Sequence, residues 1–345
     1  MRAFLGGVAA AALLWVALPG TALASATAAT VFLYPALGRP TVVDVTGRVV
    51  GGDPEASGSP LERNARRLTA KSREHVPVSV SFQGETRKVK TDDDGYFAAS
   101  FPAPTHAPFA IGQHAVRAEA EGAAGMGRVE IVSDEAAFLV VSDFDDTLAQ
   151  SNVQSTRGLL DSALLGDERT QAAVEGMAAL FRCLREGNEP PPGFVIVTGS
   201  PLEYGARLEA FLAKAGFPFS ALVLRKLGPG TLKGYKEPAI RKLLSSFPQR
   251  VVLVGDSGER DPEVYALIRR EFPDRVAAIF IHDVGRSTKP RRFEGMVLFT
   301  HAADAGRAAA AQGLVRTECV DRAFPAAQVE PEGRGTAGAP ATMQR

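Results

Sequence analysis

From residue 137 onward the chain alternates between two periodicities. Apolar runs of strand length occur at Phe138–Ser142, Phe194–Thr198, Ala221–Leu224, Val251–Gly255, Val276–Ile281 and Met296–Phe299. Helical patterns occupy Glu168–Arg185, Pro201–Ala215, Tyr235–Ser246, Pro262–Glu271 and His301–Gln312. Strands that are apolar throughout are buried on both faces, and the helices between them supply the crossovers that parallel pairing needs. The pattern predicts an α/β domain over residues 137–320 on a parallel sheet, with its functional residues outside the carboxyl ends of the strands.

Residues 28–132 read differently. Strand-like stretches at Thr30–Tyr34, Val42–Val50, Pro77–Phe82, Thr86–Lys90, Gly95–Phe101, His114–Ala120 and Met126–Val132 are separated by turn signals. Short strands at a spacing of roughly ten residues predict an antiparallel β-sandwich domain. Asp92-Asp93-Asp94-Gly95 reads as a hairpin turn, with a calcium site as the lesser alternative. Pro60–Glu74, carrying Arg63, Arg66, Arg67, Lys71 and Arg73, reads as a short helix or loop with a solvated basic face.

Lys and Arg together number 39, as do Asp and Glu, so the chain has no polyanion-binding footprint and nucleic acid is excluded as an expected partner. Near the N-terminus Arg2 precedes the apolar run Val8–Leu18, then Pro19-Gly20 and Ala22-Leu23-Ala24. This is the layout of a secretory signal peptide over residues 1–24, its apolar run shorter than the ~20 residues that span a bilayer. The expectation is export to a periplasmic or extracellular location, and Ala-, Gly- and Arg-rich composition suggests a bacterial source. Residues 325–345 lack periodicity and read as a disordered tail. Cys183 lies on the apolar side of a helical pattern with Met177, Leu180, Phe181 and Leu184, so a buried free thiol is favoured over pairing with Cys319.

The chemistry lies at the ends of the predicted strands. The first runs into Asp143, Asp145 and Asp146; three acids past an apolar strand repel one another unless a cation offsets them. The second ends in Thr198-Gly199-Ser200, whose hydroxyls and amides, opening a helix, can cradle a phosphate. Lys236 opens a helical pattern, and Val251–Gly255 leads into Asp256 and then Asp261, read as the N-cap before Pro262. Acids and hydroxyls delivered to one edge beside a lysine suggest Mg2+-dependent phosphoryl chemistry. A solvated turn with Asp as N-cap is the structural alternative for the first cluster.

Asp143-Phe-Asp-Asp-Thr147 resembles the first motif of the haloacid dehalogenase superfamily, and the other three motifs follow in order. The string Val254-Gly-Asp-Ser-Gly-Glu-Arg-Asp-Pro-Glu-Val-Tyr265 is similar to the catalytic domain of actin-patch-type phosphatidate phosphatases, distant relatives of the lipins. The resemblance implies a haloacid dehalogenase-like (Rossmannoid) fold and a role for each matching residue. Asp143 is the nucleophile that takes the phosphoryl group, Asp145 the acid/base, and Thr147 the residue that holds the turn. Thr198, with Gly199 and Ser200, binds the phosphoryl oxygens, and Lys236 stabilises them. Mg2+ is held by Asp143, the Asp145 carbonyl and Asp256, with support from Asp261. Asp146 is an N-cap or supporting acid. Phe144, the stretch Thr198-Gly199-Ser200 and His282 depart from the residues common in the family; His282 reads as a strand-end structural residue, with acid/base work as the alternative. The gaps from Thr147 to Thr198 and from Thr198 to Lys236 leave no room for a large cap, which implies an open site suited to a bulky substrate.

The resulting expectation is a phosphatase acting on phosphatidate or a related lipid phosphate, with peripheral membrane contact through the sandwich or Pro60–Glu74. Another exposed phosphomonoester, such as an inositol phosphate or a phosphoprotein, is the second reading, and a non-catalytic secreted binding protein the third. Oligomeric state is not readable from the sequence.

Overall fold

A computed structural model describes residues 28–150, 171–226, 234–285 and 290–325. The signal-peptide segment 1–24 and the tail from 326 lie outside the described residues, as do 151–170 and 227–233, which fall in the two gaps where a cap would be inserted.

The first eight strands are β1 (Ala29–Leu33), β2 (Ala36–Arg39), β3 (Val42–Gly51), β4 (Pro77–Phe82), β5 (Glu85–Lys90), β6 (Tyr96–Pro102), β7 (Gly112–Ala120) and β8 (Ala123–Ile131). They form one connected sheet in the order β1-β3-β2-β8-β7-β4-β5, with β6 pairing β3. All pairs are antiparallel except β2 with β8, which is parallel. The sequence pattern missed β2, whose four residues are too few to show alternation. Alternate side chains of these strands bury Val43, Val45, Val80, Phe97, Phe101 and Val129 in a common core.

Helix α1 (Pro60–Thr69) corrects the expected solvated face. Ser59 caps it: the Glu62 amide donates to Ser59 Oγ at 3.3 Å, and the Ser59 amide donates to Glu62 Oε2 at 2.8 Å. Arg63, Asn64 and Arg67 turn inward and are buried. Arg67 pairs with Glu55 Oε2 at 2.5 Å and donates to Asn64 Oδ1 at 3.0 Å, so its charge is compensated there and not by solvent.

The second sheet is wholly parallel. Its strands are β9 (Phe138–Ser142), β10 (Phe194–Pro201), β11 (Ala221–Arg225), β12 (Arg250–Asp256), β13 (Val276–His282) and β14 (Val297–Phe299), in the order β11-β10-β9-β12-β13-β14. Every residue of β9 is buried. Phe138 and Val140 face one core with α2 (Met177–Glu186), α3 (Gly205–Lys214), α6 (Ala302–Ala311) and α7 (Thr317–Ala323). Leu139 and Val141 face the other with α4 (Lys236–Ser246) and α5 (Asp261–Glu271). Successive strands run outward from β9 in opposite directions, which makes its carboxyl end a topological switch point.

Two local expectations are overturned. Cys183 on α2 and Cys319 on α7 form a disulfide with Cα atoms 5.6 Å apart, so Cys183 is not a free thiol. Burial on an apolar face is equally compatible with either state, and the pattern could not show that α7 packs there. Among the described residues of the expected Glu168–Arg185 helix, only those from Met177 on are helical; ahead of them the Gln150 amide donates to the Ala172 carbonyl and the Val174 amide to the Leu148 carbonyl.

Candidate active site

β9 lies between β10 and β12, so Asp143, Thr198 and Asp256 arrive side by side at one sheet edge. The Asp143 amide donates to the Val254 carbonyl at 2.9 Å, fixing the first acid to the neighbouring strand. Phe144 then turns into the core, edge-on to Phe211 with centroids 5.2 Å apart, which leaves Asp143 and Asp145 on the site side. The turn closes where the Leu148 and Ala149 amides both donate to the Phe144 carbonyl, at 2.9 and 3.0 Å. Asp146 takes a left-handed backbone (φ 55°) and caps no helix, which corrects the N-cap reading. Its carbonyl accepts from His282 Nδ1 at 2.6 Å, and the imidazole stacks on Phe299 at 5.4 Å. A carbonyl can only accept, so the proton sits on Nδ1 and His282 props the Asp143–Leu148 loop from β13.

Thr198 is fully buried, and its Oγ1 accepts from the Ser200 amide at 3.1 Å. The expected helix N-terminus is not at this point. β10 continues to Pro201, and a 3-10 turn, Leu202–Tyr204, precedes α3. The Gly199 carbonyl accepts from Arg225 Nε at 2.9 Å. A Cβ at Gly199 would lie 3.0 Å from the Tyr235 hydroxyl, so the phenol rests against this backbone and glycine keeps the approach open.

Lys236, buried at the first turn of α4, sets the electrostatics. Its Nζ lies 2.9 Å from Asp143 Oδ1, 3.6 Å from Glu259 Oε2, and in a short ion pair with Asp261 Oδ1. The other Asp261 oxygen accepts from the Asp256 amide at 3.3 Å. Asp261 is the first residue of α5, with Arg260 before it as N-cap, so its carboxylate is directed to Lys236 and not to the cap of its own helix. Asp256 Oδ1 accepts from the amides of Gly258 and Glu259 at 2.5 and 3.1 Å.

Burial opposes charge throughout the cluster. It holds the Asp143 carboxyl well above the usual range, with Asp261, Glu259 and Asp256 acting in the same direction against Lys236. Burial also pushes Asp256 up to about 7, with Asp261 and Glu259 adding to it, and Asp145 up to about 6, with Glu259 adding. For Lys236 burial works against the charged form. The Asp143 and Asp261 carboxylates outweigh it and hold the ammonium well above its ordinary value.

Asp143, Asp256 and Glu259 can each turn one oxygen to a common point, all within 4.8 Å of one another. Asp143 Oδ2 and Asp256 Oδ2 are buried and accept no hydrogen bond from the described residues. Two orphaned carboxylate oxygens in an acid-rich cleft, with hard oxygen donors on three sides, fit a divalent cation. Thr147 Oγ1 is likewise buried without a partner. Asp145 and Ser200 are half-buried beside the cluster. Sequence reasoning missed Glu259, which sat inside the Asp256–Asp261 string as an apparent spacer. It also missed Tyr235, the neighbour of Lys236 whose ring faces the ammonium at 5.9 Å.

A buried ammonium among carboxylates thus stands at the switch point of the parallel sheet, on a segment that is similar to known proteins. Residues 138–283 match the family described as phosphatidate phosphatase APP1, catalytic domain. An uncharacterized Schizosaccharomyces pombe protein is 30% identical over 162 residues, covering 44% of this chain and 26% of that one. Phosphatidate phosphatase APP1 of Saccharomyces cerevisiae is 25% identical over 150 residues, covering 41% of this chain and 25% of that one. The chain thus spans about a quarter of the length of the curated relatives it matches. Among solved structures, a carbohydrate acetylesterase from Xanthomonas citri aligns with a TM-score of 0.31 at 15% identity over 81% of this chain and 64% of that one, a likeness too weak to carry an argument.

Proposed function

We propose that the protein is a Mg2+-dependent phosphomonoester hydrolase whose substrate is phosphatidate or a related lipid phosphate, and that residues 137–320 form a haloacid dehalogenase-like domain without a large cap, preceded by a β-sandwich. One observation carries the chemistry. Lys236 Nζ pairs with one oxygen of Asp143 at 2.9 Å while the other, beside the orphaned Asp256 oxygen, faces the candidate cation site, so the carboxylate stands between the two positive charges that a phosphate dianion needs to approach it.

In this reading an Asp143 oxygen attacks phosphorus. The ester P–O bond breaks, and Asp145 gives its proton to the departing alkoxide. Asp145 then takes a proton from water as the water oxygen attacks the aspartyl-phosphate, releasing inorganic phosphate and restoring both carboxyls. The rise of Asp145 to about 6 suits a group that must exchange a proton near neutrality. Thr198, Gly199 and Ser200 receive the phosphoryl oxygens. Lys236 offsets their charge and the charge developing on Asp143. Asp143, Asp256 and Glu259, with the Asp145 carbonyl, would hold Mg2+, which supplies the positive charge that lets a phosphate dianion approach a carboxylate. Asp261 contributes by holding Lys236 and the Asp256 amide, and Thr147 by packing the turn.

The Cys183–Cys319 disulfide supports the exported reading, because disulfides persist in oxidising compartments. Phosphate release from micellar phosphatidate, an inositol phosphate and a phosphopeptide, each with Mg2+ and with EDTA, tests the proposal. Turnover of the lipid with Mg2+ alone is expected. Turnover of only the soluble esters would remove the lipid reading.

A further inference from the structure

Among the contacts between the first sheet and the second, two groups differ in what they hold. At the amino ends of the parallel strands, Arg39 pairs with Asp134 at 2.7 Å and donates to the Ser246 carbonyl, at the end of α4, at 3.2 Å. At the carboxyl ends, the contacts fall on the loops that carry the candidate phosphate cradle. Arg48 of β3 pairs with Glu203 at 2.8 Å, and each side chain is only 9% exposed. Glu203 follows Ser200 by three residues and lies in the turn that ends the cradle. Tyr34 donates its hydroxyl to the Leu202 carbonyl at 3.1 Å, and its ring packs on Gly205, where a Cβ would strike it. Arg48 also donates to the Asp94 carbonyl at 2.9 Å and to Ser72 Oγ at 3.0 Å. The guanidinium is thereby fixed from its own side before it reaches Glu203.

A second strut runs in parallel. Lys226 pairs with Asp92 at 2.5 Å, reaches Asp94 at 3.5 Å, and lies 4.7 Å from the centroid of the Tyr96 ring. Its neighbour Arg225 holds the Gly199 carbonyl. The triple-aspartate turn, with Asp92 Oδ1 accepting from the Asp94 and Tyr96 amides at 3.0 and 2.9 Å, is therefore the anchor of this strut. All of its residues on the first sheet lie outside the segment matched to the catalytic family.

We infer that the first sheet is part of the catalytic apparatus as a brace: Arg48, Tyr34 and the Asp92–Asp94 turn are positioning residues that hold the Thr198–Ser200 cradle through Glu203, Leu202 and Lys226. The inference rests on the reading of Thr198, Gly199 and Ser200 as the phosphoryl-binding strand end. A buried ion pair contributes little net stability but fixes geometry, because displacing either charge leaves the other unpaired. A cradle displaced by about 1 Å costs of the order of a hundredfold in rate.

The test compares Tyr34→Phe, Lys226→Met and the charge-neutral double variant Arg48→Met with Glu203→Gln against Arg39→Met, which cuts the contact at the far end. The readouts on the full chain with Mg2+ are the dissociation constant for inorganic phosphate by calorimetry and the melting temperature. Thr198→Ala reports on the cradle itself. Site-side variants are expected to weaken phosphate binding about fivefold to fiftyfold, while Arg39→Met lowers the melting temperature and leaves phosphate affinity within twofold. Site-side variants that lose melting temperature but keep phosphate affinity, while Thr198→Ala weakens it, would overturn the brace alone. Unchanged affinity in Thr198→Ala would overturn the cradle reading and the brace with it.

Discussion

Lys236 Nζ lies 2.9 Å from Asp143 Oδ1, and both side chains are buried. The same ammonium pairs with Asp261 and approaches Glu259. One cation thus serves several acids in a place with little water, so the site carries more negative charge than its lysine offsets. That imbalance underlies both the proposed cation and the raised carboxyls.

Replacing Lys236 with Met removes the offset while keeping most of the packing. Loss of charge stabilisation at a reacting phosphoryl group is expected to lower kcat about a hundredfold or more. Leaving Asp143 and Asp261 facing each other without the ammonium is expected to cost about 3–5 kcal/mol of stability. Steady-state phosphate release and denaturant unfolding read the two effects separately.

The raised carboxyls set a sign for pH. Asp256 stands at about 7 and Asp145 at about 6 in the metal-free fold, against an ordinary value of 3.8. A carboxyl raised on folding favours the folded state while protonated and loses that contribution as pH rises through its folded value. The metal-free protein is therefore expected to lose melting temperature between about pH 4 and pH 7. Cation binding needs the carboxylates ionised, so the increment in melting temperature from added Mg2+ should grow over the same range. A Mg2+ increment that is flat with pH would contradict the acidic cluster as its site.

Two glycines at the site should respond differently to alanine. At Gly255 a Cβ would run into the Asp261 carboxylate and its Cβ, with β12 paired on both sides and unable to move away. Gly255→Ala should cost about 1–3 kcal/mol and disturb the Lys236 pairing. At Gly199 the Cβ meets the far end of the Tyr235 side chain, which can swing, so Gly199→Ala should fold normally. Thermal unfolding of the two variants checks the contrast.

The disulfide closes a loop across a sequence separation of 136 residues, between α2 and α7. Converting both cysteines to Ala should destabilise the protein by about 2–4 kcal/mol. Reductant should lower the melting temperature of the parent chain and leave that of the double variant unchanged.

The parallel sheet was legible because its strands are apolar on both faces and Asp143, Thr198 and Asp256 follow the apolar runs of three of them. What escaped depends on chain segments distant in sequence. Glu259 looks like a spacer until the Asp256 loop folds it back toward Asp143. Arg63 and Arg67 look solvated until Glu55 and Asn64 are placed beside them. The Cys183 thiol looks unpaired because nothing local to α2 announces α7. The Asp92–Asp94 turn reads correctly as a turn, yet its pairing with Lys226 follows only from how the two sheets meet.

The central claim is that Asp143 is the nucleophile of a Mg2+-dependent phosphatase. Phosphate release from micellar phosphatidate by the parent chain and by Asp143→Asn, at equal protein and saturating Mg2+, tests it most directly. The account predicts turnover by the parent chain and a loss of about a thousandfold or more in Asp143→Asn, with the fold retained. Equal rates from the two proteins would contradict it.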